Sequence, residues 1–131
     1  MKHTEEALPT FDGFDLLLKK RDGPCLTMLL PFREGAKKQN IDLLHRSLRT
    51  VSLQLQCYPC DPDRKDKITR ELQMFALSFD PIKCDQSVGL FIANDITRLI
   101  FFPFAVEESV QVMDSFQIDD VLQKQRAHES H

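Results

Sequence analysis

Residues 87–116 restrict what this chain can fold into more than any other stretch. Ser87-Val-Gly-Leu-Phe-Ile-Ala and Ile96-Thr-Arg-Leu-Ile-Phe-Phe-Pro-Phe are two β-branched and aromatic runs, separated only by Asn94-Asp95. Asn and Asp tolerate positive φ, so the connector predicts a tight hairpin. After Glu107-Glu108, Val110 and Val112 alternate with Gln111 and Met113, which predicts a third strand over 109–116. The expectation is a three-strand antiparallel meander. Phe101 and Phe102 are adjacent, so in a strand they point to opposite faces. Both faces of the sheet then need cover. We expect one of these two rings to be exposed in an isolated copy and buried against a partner, either a further domain or a second copy of the chain.

The residues before this stretch supply the cover. Residues 1–9 read as a loose lead-in. Thr10 reads as an N-cap, and Phe11, Phe14, Leu17 and Leu18 follow at helical spacing. Lys19-Lys20-Arg21 complements the end of that helix, and Asp22-Gly23-Pro24 stops it. Cys25 to Phe32 is nearly all apolar, the pattern of a strand covered on both faces or central in its sheet, and Pro31 marks its end. From about Lys38 to Gln56, Ile41, Leu44, Leu48, Val51 and Leu55 recur every three or four residues, so an amphipathic helix is predicted. Asn40 caps it if it begins late. Asp61-Pro62 starts another helix, with Ile68, Leu72, Phe75 and Phe79 on its buried face, and Asp80-Pro81 ends it. The short connector makes the pair an antiparallel helix hairpin. A short helix over 118–125 and frayed residues 126–131 complete the reading. The fold class is therefore α+β: about four mostly antiparallel strands in layers with a helix hairpin packed on them.

A chain of 131 residues reads as one domain, large enough to bury a core without disulfides or metal. The N-terminus lacks an apolar signal-peptide core, and no window approaches a membrane span. The expected compartment is the cytoplasm, with the four cysteines reduced. Net charge is −3, but it divides unevenly: net +3 over residues 1–70 and net −6 over residues 71–131. A polyanion would therefore be met by the first half.

Three segments together carry a family resemblance. Gly23-Pro-Cys-Leu-Thr-Met-Leu-Leu-Pro-Phe-Arg-Glu-Gly35 resembles an opening strand of the form Pro-x-hydrophobic-Ser/Thr-hydrophobic-Leu-Pro. Gln39-Asn-Ile-Asp-Leu-Leu44 begins the long helix. Ser87-Val-Gly-Leu-Phe-Ile-Ala with Phe101-Phe-Pro-Phe-Ala-Val-Glu-Glu-Ser-Val-Gln-Val-Met-Asp-Ser-Phe-Gln-Ile118 resembles the closing part. Over about residues 10–123 this order is similar to the N-terminal domain of bacterial relatives of archaeo-eukaryotic peptide release factors. The resemblance implies a translation- or ribosome-associated role. It does not carry over peptidyl-tRNA hydrolysis, because Gly-Gly-Gln is absent, or stop-codon reading. The archaeal and eukaryotic factors place a basic Asn-Ile-Lys-Ser loop in the hairpin turn. The matching turn here, Cys57-Tyr-Pro-Cys-Asp61, has no basic residue.

Candidate sites are few. Arg33, Lys37, Lys38, His45, Arg46 and Arg49 gather at the front of the long helix. They read as a phosphate-backbone contact or as a solvated face in which Asp42 and Arg46 pair at i,i+4. No aromatic residues are interleaved for base stacking. Cys57-x-x-Cys60, with Cys84, reads either as part of a metal site or redox pair, or as ordinary loop thiols. One Cys pair lacks the second half that zinc wants, so no metal or cofactor is expected. Asp95, Asp114, Asp119 and Asp120 read as turn and helix-start residues before they read as paired carboxylates. No Gly-rich phosphate loop, Gly-x-Ser-x-Gly or His-Glu-x-x-His occurs, so a non-enzyme is expected. The expected partners are RNA or the ribosome, with a protein-interaction or self-association role as the alternative.

Overall fold

The computed structural model describes residues 5–7 and 11–129. In chain order the elements are β1 (Glu5–Ala7), α1 (Phe11–Leu18), β2 (Cys25–Leu30), α2 (Lys37–Cys57), α3 (Pro62–Ser78), β3 (Val88–Ala93), β4 (Ile96–Phe101), β5 (Ser109–Met113) and α4 (Asp119–Glu129). The fold is α+β: four antiparallel strands, with β1 added in parallel at one edge, in the order β1-β4-β3-β2-β5.

The unbroken apolar run of β2 has its explanation in this order. The strand lies between β3 and β5, antiparallel to both, and all six of its residues are buried. Its single polar member, Thr27, is satisfied because its Oγ1 accepts from the Gln117 amide at 3.0 Å. Alternation sends Leu26, Met28 and Leu30, with Val88, Leu90, Ile92 and Leu99, toward α2 and α3. Cys25, Leu29, Phe91, Ala93 and Ile100 face the other way, toward Phe14 and Leu17 of α1 and Val121 and Leu122 of α4. Two apolar cores therefore sit on the two faces of one sheet.

Several expectations need correction. The meander is not formed. β3 and β4 make the hairpin, but β5 leaves β4 and pairs with β2 on the far side of the sheet. Three strand spacings amount to about 14 Å, which the seven residues of the 102–108 connector span. The strand ends at Met113 rather than Phe116. The Asn94-Asp95 turn is built without a positive φ, since among the described residues only a glycine has one. Within the lead-in, residues 5–7 form a strand, with Glu5 opposite Arg98 and Ala7 opposite Ile100. Residues 126–129 continue α4 instead of fraying. Thr10 and residues 130–131 lie outside the described residues.

The exposed phenylalanine expected of the Phe101–Phe102 pair is also absent. The two rings do face opposite cores, but Phe102 is 1% exposed and Phe101 is half-buried against the helix-hairpin side. Phe102 stacks with Phe14 at 6.5 Å and Phe104 at 5.4 Å between ring centroids. Its ring lies over Gly89, where a Cβ would come within 2.9 Å of it. The cover of Phe102 comes from α1 and from the connector itself, while Phe101 keeps part of its surface in solvent.

Arg21 fastens α1 to this assembly. Its guanidinium donates to the Leu16 and Leu17 carbonyls, at 2.8 and 3.3 Å, which are among the carbonyls left open at the helix end. The same group pairs with Asp95 at 2.9 Å and lies over the Phe116 ring.

Candidate nucleic-acid interface

The front of α2 departs from the rules for starting a helix. Its N-cap is Ala36, which offers no side-chain bond, and its first turn holds Lys37 and Lys38 with no acidic residue. Cations there oppose the helix dipole and leave the first N–H groups without a carboxylate. Asn40 does not cap the helix. It is buried within the first turn and clamps the preceding loop. Its Oδ1 accepts from the Arg33 amide at 3.1 Å, and its Nδ2 donates to the carbonyls of Arg33 (2.9 Å), Pro81 (3.3 Å) and Cys84 (3.3 Å). Gly35, at φ 76°, takes the left-handed conformation that lets the loop enter the helix. The backbone that carries Arg33 is thus held firmly, while its side chain stands in solvent.

Beyond that turn, Lys38, Asp42, His45 and Arg49 line the outer side of α2, opposite buried Asn40, Leu43, Leu44, Ser47, Val51 and Leu55. Arg33, Lys37, Lys38, His45 and Arg49 are all exposed, and among the described residues none has an ion-pair partner. Arg46 differs. It pairs with Glu108 at 2.8 Å, ahead of β5, and not with Asp42 as the helix spacing suggests. Its charge is therefore already partnered within the chain. No aromatic side chain shares the face, so base stacking has no platform there.

The layer of α1 and α4 on the other side of the sheet borders an acidic cleft. A cleft of about 560 Å³ beside α4 is lined by Glu107, Glu108, Asp119 and Asp120, with Lys124 as its cation. The carboxylates have structural roles. Asp95 holds Arg21, Asp114 accepts from Tyr58, and Asp119 and Asp120 occupy the first turn of α4, where the dipole favours them.

At the far end of α2, the α2–α3 turn is tied down. The Tyr58 hydroxyl donates to Asp114, just past β5. Arg64 donates to the Gly23 carbonyl at 3.1 Å, and Lys65 to the Gln56 carbonyl at 2.7 Å. Asp61 caps α3 by accepting from the Arg64 amide, with Pro62 beginning the helix as its sequence implies. The cations nearest the turn are thus spent on the fold. The Asp114 hydrogen bond, aided by burial and the Asp114 charge, pushes Tyr58 up to about 12. Its protonated form is the one the fold favours. The contribution is complete below the ordinary value of about 10 and is lost as pH rises through about 12. Tyr58 is the chain's one tyrosine and there is no tryptophan, so phenolate absorbance reports on it alone. The midpoint is expected near 12 in the native protein and near 10 in Asp114→Ala. Equal midpoints would remove this bond from the account.

The cysteines do not assemble. Cys84 lies beside Asn40 at the front of α2, whereas Cys57 closes the other end, about 25 Å away at 1.5 Å per residue. Among the described residues no group of three or more potential ligands is arranged to hold a metal. Cys57, Cys60 and Cys84 are therefore not one site. Burial pushes the Cys25 and Cys84 thiols up. That disfavours thiolate chemistry at both.

The Asn40 clamp, and the bonds of the Gln54 amide to the Val110 carbonyl and the Val112 N–H, do not follow from the sequence, because Pro81, Cys84, Val110 and Val112 are backbone partners far along the chain. Among the described residues no helix is long and apolar enough to cross a membrane. No protein-family model matches the chain, and no curated protein matches it.

Proposed function

We propose that this chain is a non-catalytic module that docks on the phosphate backbone of RNA in the setting of the cytoplasmic ribosome. The contacts are Arg33, Lys37, Lys38, His45 and Arg49. The observation that carries this reading is the front of α2. Two lysines stand in a first turn that disfavours cations, beneath an N-cap with no side-chain bond, on a loop fixed by Asn40. A departure from local rules that costs stability is expected where function uses it. Free backbone N–H groups, the helix dipole and exposed cations together suit a phosphate. The resemblance to the release-factor N-terminal domain points to the same class of partner. Without aromatic residues on the face, the contact positions the module and does not read bases.

The double variant Lys37→Glu/Lys38→Glu separates binding from stability. It should stabilise the fold by about 0.5–2 kcal/mol, because each reversal complements the dipole. It should also weaken RNA binding by about tenfold or more, equally across sequences. Arg46→Gln should leave RNA affinity nearly unchanged, because Glu108 already holds that side chain. Thermal melts and a filter-binding titration read both effects. Unchanged affinity in the double variant would refute the proposal.

A further inference from the structure

β5 is the open edge of the sheet, since β2 occupies only one of its sides. An antiparallel ladder turns the N–H and C=O of every second residue away from the neighbouring strand. In β5 these residues are Val110 and Val112, which Gln54 of α2 reaches from outside. Its Nε2 donates to the Val110 carbonyl at 3.1 Å, and its Oε1 accepts from the Val112 amide at 3.0 Å. One side-chain amide thus occupies an acceptor and a donor that an added strand would otherwise pair. Unpaired edges of this kind are templates for another chain unless something blunts them.

The sequence of β5 says which chain fits. Ser109-Val-Gln-Val-Met113 has no charged residue, and its middle, Val110-Gln-Val112, reads alike in both directions around Gln111. A two-fold axis through Gln111 sets Val110 against Val112 of the second copy, twice, on one face. It sets Gln111 against Gln111 of the second copy on the other. The peptide groups paired in that arrangement include the two that Gln54 now holds. Leu53, beside Gln54, is 58% exposed, and Met113, which ends β5, is 45% exposed. Both would lie near the seam.

We propose that β5 is a latent self-pairing edge and that Gln54 is the latch that keeps it closed. The two-fold register also sets Glu108 against Asp114 of the second copy. These like charges oppose pairing, so the opened edge associates more strongly as salt rises. That is the reverse of RNA binding, so the two properties can be told apart.

The test is the mass in solution across a concentration series without RNA. It compares the native chain, Gln54→Ala, and Gln54→Met, which keeps the length of the side chain and its packing. Each neutral hydrogen bond is worth roughly a factor of two to ten in an equilibrium constant. Removing two in each copy should tighten the dimer by about a hundredfold. Adding Gln111→Lys, which puts two positive charges at the axis, should return Gln54→Met to a monomer. A Gln54→Met variant that folds but dimerises no more tightly than the native chain would overturn the proposal. So would a dimer that survives Gln111→Lys.

Discussion

Replacing Phe75 by Ala is expected to lower the unfolding free energy by about 3–5 kcal/mol. Against a total of roughly 5–15 kcal/mol for a domain of this kind, that brings the chain close to unfolding. Phe75 is 1% exposed and sits on the inner face of α3, against the core that also holds Leu26, Met28, Leu30 and Leu90. Its ring stacks on Phe79 at 5.0 Å, and Phe79 stacks on Phe32 at 5.3 Å. The three rings join α3 and its C-cap to the chain just beyond β2. Truncating Phe75 opens a cavity and leaves Phe79 without its neighbour, and the backbone of a packed three-layer arrangement can collapse only partly to fill it. Phe79→Ala should cost less, because that ring is half-buried and part of its area already meets water. Denaturant titrations of both variants give the comparison. A Phe75 loss near zero would mean that α3 does not pack on the sheet through this face.

The effect of Phe75 was legible in the sequence because it depends on local periodicity. Ile68, Leu72 and Phe75 recur at helical spacing and are buried, and Asp61-Pro62 marks the start of their helix. The continuous apolar run of β2 likewise announced a strand buried on both faces. Strand order was not legible. The alternation of Val110 and Val112 identifies a strand with one more polar face, but nothing in it says whether β4 or β2 is the neighbour. β1 has only Glu5-Glu6-Ala7, a composition with no strand signal, and it exists through its pairing with β4.

The same division holds at the candidate interface. The cluster of Arg33, Lys37, Lys38, His45, Arg46 and Arg49 could be read from the sequence, because helical spacing brings those residues together. The separate role of Arg46 could not, because its partner Glu108 lies 62 residues away. Asn40 looked like a cap because Asn favours caps. The helix begins three residues earlier, at Lys37, and the amide turns inward to hold the loop. The cysteine spacing was equally ambiguous, since Cys57-x-x-Cys60 says nothing about where Cys84 lies. The burial of Phe102 depends on α1, Phe104 and the missing side chain at Gly89, three separate parts of the chain.

The phosphate contact at the front of α2 is tested most directly by the salt dependence of RNA affinity. Counterion release gives a slope of log affinity against log salt of about −0.7 to −0.9 for each phosphate neutralised. With Arg33, Lys37, Lys38 and Arg49 engaged, affinity should fall roughly a hundredfold between about 50 and 200 mM salt. Lys37→Gln/Lys38→Gln should make the slope shallower by about 2, and Arg46→Gln should leave it unchanged. Binding that is flat with salt, or a slope that the lysine variant does not alter, would contradict the assignment of this face to RNA.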